Sequence, residues 1–448
     1  MRRWNACVSA SCKAQLYWWF ESLSTEIQVS KGWRPNMKIT RPLIGIIAVL
    51  SCLVLTLAAL AAVDWSAEYL GRTLRWGPSD IYDYQKFPER VIENAPPTFY
   101  FKEGPAPELF STIQYTEDGG TKQANFDEFL QTTGTTAFIV IQDDAILYEN
   151  YFNGNQRDSI VTSFSSAKSV NSALIGIAID EGLIGSVDDP VVDYIPEIRG
   201  RGLDELTIKH LLDMSSGIAY LEDENMFPLL APFSDDAKTY YYPDLRALAL
   251  TVQAGDEPLG EALHYNNYHP LLEGLILERA TGQAVAVYLQ EKIWKPLGME
   301  FPASWSLDSV ESGFEKMESG INARAIDFAK FGRLFLKGGN WEGKQIISED
   351  WVAASTVPDP EDNRLWVTFP EYKERGGYYQ YHWWGLVRED GHYEFSARGH
   401  LGQYIYVCPQ TNLVIVRYGK EEGPGVYWED IMIQLEERIA ENVDGSDT

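Results

Sequence analysis

Val161-Thr-Ser-Phe-Ser165-Ser-Ala-Lys168-Ser-Val-Asn-Ser-Ala-Leu-Ile-Gly-Ile-Ala-Ile-Asp-Glu-Gly-Leu-Ile184 joins a short β-like run to an amphipathic helix at a serine. Apolar residues recur from Val170 at Ala173, Leu174, Ile177 and Ala178, and Gly182 is a natural C-cap, so the spacing predicts a helix whose first turn carries S-x-x-K. Positions three apart share a helix face, which brings the Lys168 amine within reach of the Ser165 hydroxyl. A serine hydroxyl becomes a good nucleophile only when a neighbour takes its proton, and a lysine kept out of water can be that neighbour. The free N–H groups of a helix N-terminus beside Ser165 suit a developing oxyanion. No other S-x-x-K occurs in the chain.

A chain of 448 residues, 45% hydrophobic and 13% aromatic, has core enough for one large or two medium domains. The net charge of −28 is uneven: Arg2, Arg3, Lys13, Lys31, Arg34, Lys38 and Arg41 crowd the start, and most acids follow residue 63. So acidic a main body repels nucleic acid and anionic lipid. Residues 43–63 carry no charge and are long enough to span a bilayer. Basic residues before them, with Asp64 and Glu68 after, place the first 42 residues as a cytoplasmic tail and the remainder outside, in the periplasm. A retained anchor competes with a cleaved secretion signal ending near Ala59-Leu-Ala61, and with a weak lipoprotein box at Cys52. Met37 reads as an alternative start. Of the four cysteines only Cys408 lies beyond this segment, so no disulfide is available there and stability must come from the core.

Residues 64–99 read as a connecting arm, in a Pro- and aromatic-rich stretch that runs on in extended form to about 135. Runs at 136–141 and 145–152 predict a hairpin. From 185 to 360 the pattern is mainly helical, with helices at 206–216, 271–281, 285–294 and 325–336. Strands return at 379–387, 392–397, 404–407 and 413–418, and a last helix spans 428–443. Strands at both ends of a helical middle imply one shared antiparallel sheet flanked by helices, with 185–360 inserted as a second lobe and a ligand cleft between. The fold class is α/β in the broad sense, α+β in detail, and the hydrolase domain spans 100–448.

Two further stretches suit acyl transfer. His264-Tyr265-Asn-Asn267-Tyr-His269 sits in a loop before a helix, and Ala397-Arg-Gly-His400-Leu-Gly402-Gln403 lies between two strands. Glycines there let a substrate backbone approach an edge strand, and a backbone N–H can supply an oxyanion donor. The pair His264 and His269 has no third ligand nearby and reads as structural, so no metal and no cofactor are expected.

In this order the three stretches resemble the penicillin-recognising serine hydrolases, which include class C β-lactamases, DD-peptidases and related esterases and amidases, with the signature S-x-x-K, Y-x-N, then K-T-G or H-x-G. The resemblance covers roughly residues 100–440 and includes Leu211-Leu-Asp-Met-Ser-Ser-Gly217. The Ala397–Gln403 stretch is most similar to the branch of 6-aminohexanoate-dimer-hydrolase-like proteins. It implies a β-lactamase/transpeptidase-like fold, with Ser165 as nucleophile, Lys168 as its base and Tyr265 as proton shuttle. Asn267 would orient substrate and Lys168, the N–H groups of Ser165 and Gln403 would form the oxyanion hole, and His400 and Gly402 would line the substrate edge.

The departure from the pattern is at the third motif, where His400 stands for lysine and Leu401 for a hydroxyl residue. A mostly neutral histidine holds a substrate carboxylate poorly. The expected activity is therefore hydrolysis of a small amide or ester. β-Lactamase or DD-peptidase activity is the alternative, and a non-catalytic penicillin-binding-like protein is the rival class.

Overall fold

The computed structural model describes residues 51, 67–117, 119–222, 231–423 and 426–446. The chain divides into two compact units, 1–74 and 75–448. In the first, the described residues begin the helix Ala67–Trp76, where Arg72 pairs with Glu68 at 2.9 Å. The Met37 start and, apart from residue 51, the apolar segment 43–63 lie outside the described residues. Among the described residues no helix is long and apolar enough to cross a membrane.

The second unit is built on an eight-stranded sheet. Its strands are β1 (Lys102–Glu103), β2 (Thr135–Gln142), β3 (Ala145–Tyr151), β4 (Gly377–Gln380), β5 (Trp383–Val387), β6 (Tyr393–Gly399), β7 (Gln403–Cys408) and β8 (Leu413–Gly419). The order is β4-β5-β6-β7-β8-β2-β3-β1, antiparallel except where β1 meets β3. The last strand, β8, pairs with β2 along its length, so the two ends of the fold share one sheet as the sequence pattern predicts.

Period-two alternation decides which side chains face which layer. Ala137, Ile139 and Ile141 of β2 join a core with α1 (Ala167–Asp180), α2 (Tyr268–Thr281) and α3 (Ala325–Leu336). Phe138 and Val140 point the other way, into a core with Ile431, Met432, Leu435 and Ile439 of α4 (Trp428–Ser446). Covered on both faces, β2 reads as a nearly unbroken apolar run.

Several local readings need correction. The predicted strand 379–387 is two strands, β4 and β5, joined by a two-residue turn at Tyr381 and His382 with φ of 42° and 65°. Such turns normally carry Asn-Gly, and Tyr-His gives no such signal. The stretch before residue 135 is not simply extended. Glu89–Ile92 pairs with Ala303–Ser306, Thr112–Glu117 pairs with Gly120–Asn125, and Asn125 caps the helix Phe126–Thr132. The strand Gly120–Asn125 is largely exposed and so lacks the alternation that marks a buried strand. The helix predicted at 206–216 is only Ile208–Leu212, capped by Thr207. The one at 285–294 closes in a π-helical turn at Gln290–Trp294.

Candidate active site

Ser165 lies in the single 3-10 turn Phe164–Ser166 that leads into α1. The turn is held from the side by Ile321–Ala323, which pairs with Val161–Thr162. Ser163 N donates to Ile321 O at 2.8 Å, and the Ser163 hydroxyl donates to Ser319 O at 3.1 Å. Phe164, just before the serine, has φ 44°. A non-glycine residue in that region costs about 1–3 kcal/mol and persists where its surroundings over-determine it. Ser165 is thereby left partly exposed at the head of a buried helix.

Lys168 is 1% exposed, and its amine donates to Ser165 Oγ at 2.8 Å and to Glu318 O at 3.2 Å. The amine also lies 4.8 Å from the centre of the Tyr265 ring. The serine and lysine of the first sequence motif and the tyrosine of the second therefore converge. The Tyr265 segment is anchored by its backbone N–H, which donates to Thr368 Oγ1 at 2.9 Å. Its ring stands against Trp384 (5.7 Å), Phe369 (6.1 Å) and Tyr379 (6.3 Å). Of the adjacent tryptophans, Trp383 packs on Phe331 and Phe335 in the core, while Trp384 forms this aromatic wall.

Asn267 is the N-cap residue of α2, and its amide nitrogen bonds to Tyr220 and Asp236 rather than to Lys168. Its Nδ2 donates to Tyr220 Oη at 3.0 Å and to Asp236 Oδ1 at 3.4 Å, and its Oδ1 meets no donor among the described residues.

The third motif is the tight turn between β6 and β7, with Gly399 opposite Gln403. Leu401 and Gly402 both have positive φ, 64° and 74°. The His400 ring is exposed and meets the Phe164 ring edge-on at 5.5 Å. The Gln403 side chain is buried, donating to His400 O (2.9 Å) and Gly419 O (2.7 Å) while accepting from Gly419 N (3.0 Å). Behind the turn, buried Arg417 donates to the carbonyls of Leu401, Gly402, Thr133 and Glu421, and its guanidinium lies 3.7 Å from the Trp428 ring centre. Arg398 spends its charge on Glu429 at 2.9 Å and on the faces of Tyr372 and Trp384.

The two histidines around Tyr265 have separate fates. His264 lies between Glu222 and Glu257 at 3.3 and 3.2 Å. His269 is buried between Ser216 Oγ and Met214 Sδ, and burial holds its basicity well below that of a free imidazole. Among the described residues no group of three or more acidic, histidine or cysteine side chains is placed to hold a metal ion.

Residues that the motifs did not reveal include Glu318, whose backbone carbonyl holds Lys168, and Tyr220 and Asp236, which hold Asn267. A carbonyl partner carries no sequence signal, because any residue could supply it. Below the site, His382 Nε2 stands 2.8 and 3.0 Å from the Glu273 oxygens and its Nδ1 stands 3.0 Å from Tyr379 Oη.

The β-lactamase family model matches residues 123–431. The chain is 29% identical over 325 residues to the 6-aminohexanoate-dimer hydrolase of Paenarthrobacter ureafaciens, covering 68% of this chain and 77% of that protein. A Bacillus anthracis structure assigned as a 6-aminohexanoate-dimer hydrolase superposes with a TM-score of 0.68 at 24% identity, over 83% of this chain and 95% of the other. A Bacteroides dorei structure assigned as a β-lactamase gives 0.57 at 20% identity, over 70% and 95%.

Proposed function

We propose, from the premise that the chain belongs to the β-lactamase family and is a serine hydrolase of the amidase and esterase kind, that it cleaves small linear amides or esters through an acyl-enzyme on Ser165. The observation that carries this reading is the Lys168 amine, 2.8 Å from Ser165 Oγ and buried beside Tyr265.

In acylation, Ser165 Oγ attacks the substrate carbonyl as Lys168 takes its proton. The tetrahedral oxyanion is held by the N–H groups of Ser165 and Gln403. As it collapses, the bond to the leaving group breaks and Tyr265 delivers a proton to that group. A water molecule, giving its proton to Tyr265, then attacks the acyl carbon, and as the bond to Ser165 Oγ breaks Lys168 returns its proton to that oxygen, releasing the acid and restoring Ser165. The Asn267 amide and the Gly402 edge contact the substrate. No cofactor takes part in this scheme.

The substrate class follows from where the positive charges are spent. Lys168 is engaged with Ser165, Arg398 with Glu429, and Arg417 with buried carbonyls. His400 occupies the lysine position of the third motif. This supports neutral linear substrates over carboxylate-bearing β-lactams, while the substrate named for the Paenarthrobacter ureafaciens relative, an amino-acid dimer that keeps a terminal carboxylate, bears only on the bond cleaved and supports an amide. Export across the cytoplasmic membrane, with 43–63 as anchor or signal, belongs to the same proposal and rests on the charge asymmetry around that segment.

A fluorophosphonate probe followed by peptide mapping tests the reading. Covalent label on Ser165 is expected. A folded chain that takes none there is not a serine hydrolase of this mechanism.

A further inference from the structure

Beneath the aromatic wall runs a chain of buried polar groups that the acyl-transfer scheme does not use. Glu273 projects from α2 and is fully buried. It accepts from Asn171 Nδ2 at 2.9 Å, and Asn171 stands one turn after Lys168 on α1. Its two oxygens lie 2.8 and 3.0 Å from His382 Nε2. A carboxylate so placed accepts a hydrogen bond from Nε2–H, which keeps the proton on Nε2 and leaves Nδ1 as the acceptor for the Tyr379 hydroxyl at 3.0 Å. The Tyr379 ring meets the Tyr265 ring edge-on at 6.3 Å.

Two features separate this chain from ordinary core filling. Burying a carboxylate and an imidazole is costly unless each polar atom is paired, so an apolar trio would serve packing better. The backbone is also bent to deliver it: Tyr381 and His382 occupy consecutive positive-φ positions in a turn that ordinarily takes Asn and Gly. The turn is pinned further by Ser169 Oγ, which donates to His382 O at 2.7 Å, and by His382 N, which donates to Leu212 O at 3.0 Å. Ser169 and Asn171 belong to the same helix as Lys168. One network thus joins the helix of the nucleophile, the helix that follows Tyr265 and the strand pair that carries Tyr379 and Trp384.

We infer that Glu273, His382 and Tyr379 are positioning residues that hold the Tyr265 ring in line with Lys168 and Ser165 for proton transfer. The inference rests on the proposed role of Tyr265. Glu273 fixes the His382 tautomer, His382 fixes the rotation of the Tyr379 hydroxyl, and the Tyr379 ring fixes Tyr265. The effect falls on turnover rather than on substrate binding, because none of the three side chains touches the Ser165 hydroxyl.

The test uses the full chain with a p-nitrophenyl ester and a linear amide, and reads kcat per site titrated by fluorophosphonate, KM and melting temperature. Tyr379→Phe removes one oxygen and keeps the ring. It is expected to lower kcat per titrated site about tenfold with KM near wild type and a melting temperature lowered only by the cost of leaving His382 Nδ1 unpaired, and to lower kcat by less than about twofold when Tyr265 is already Phe, since contacting residues couple. Glu273→Gln is expected to reproduce the loss, and if it does not fold, Tyr379→Phe decides alone. A Tyr379→Phe enzyme with wild-type kcat per labelled site, or one that loses the same factor in both backgrounds, overturns the inference while leaving the Ser165 reading intact. A wild-type chain that takes no label at Ser165 overturns both.

Discussion

A Cβ on Gly399 would lie 2.4 Å from the carbonyl oxygen of Ser163 and 3.2 Å from the Cβ of Phe164. The strand that ends at Gly399 can therefore close on the serine turn only because residue 399 has no side chain. The nearest obstructing atom, Ser163 O, is backbone, which has little room to yield. Gly399→Ala should force the two segments apart, at a cost typical of overpacking, about 1–3 kcal/mol. Urea unfolding should give a lower midpoint, and kcat should fall as well because the Gln403 N–H moves with the strand. Unchanged values of both would show that the contact is slack.

In the proposed acylation step Lys168 and Ser165, whose amine and hydroxyl lie 2.8 Å apart, act as one unit. Ser165→Ala and Lys168→Ala should each remove nearly all hydrolysis, and the double variant should be scarcely worse than either, since losses within a unit do not add. Steady-state rates on a p-nitrophenyl ester check this. A Lys168→Ala enzyme near wild-type rate would assign the base elsewhere.

In the proposed site His400 and Leu401 stand for the lysine and the hydroxyl residue of the K-T-G signature. His400→Lys with Leu401→Thr should raise kcat/KM for a carboxylate-bearing β-lactam relative to a neutral ester, by an amount in keeping with a charge-assisted hydrogen bond of about 1.5–3 kcal/mol. The ratio for nitrocefin against a p-nitrophenyl ester reads this out. A parent enzyme that hydrolyses nitrocefin faster than any neutral ester would remove the basis for the preference.

Burial pushes the Glu394 carboxyl up to about 7, against the pull of the Arg388 guanidinium 3.0 Å away. The folded chain then keeps a proton that the unfolded chain loses near 4.5. Stability should fall as pH rises from about 4.5 to about 7 and level off above, because the folded state binds more protons in that window. Glu394→Gln removes this titration, so its unfolding free energy should fall less across the window than that of the parent. Equal pH slopes in urea unfolding of the two proteins would contradict the argument.

The proposed export rests on the basic residues before 43–63 and the acids after it, a pattern that predicts the hydrolase outside the membrane. An alkaline phosphatase fusion after residue 70 should be active. An inactive fusion beside an active cytoplasmic reporter at the same point would reverse the topology.

The sequence by itself determined the elements whose signal is local. The spacing of Ser165 and Lys168 is fixed by one helical turn, and α3 occupies the residues its periodicity marks, 325–336. Strand patterns at both ends of the chain were enough to place them in one sheet, since each needs a partner and a covered face. Tertiary structure alone decided what depends on contacts between distant segments. Glu318 holds Lys168 through a carbonyl that every residue has, and Asn267 turns to Tyr220 and Asp236, 47 and 31 positions away. Tyr381 and His382 make a turn against their own propensity. Local preference there amounts to only a few kcal/mol, and pairing of the flanking strands together with the buried bonds from Ser169 and Glu273 outweighs it.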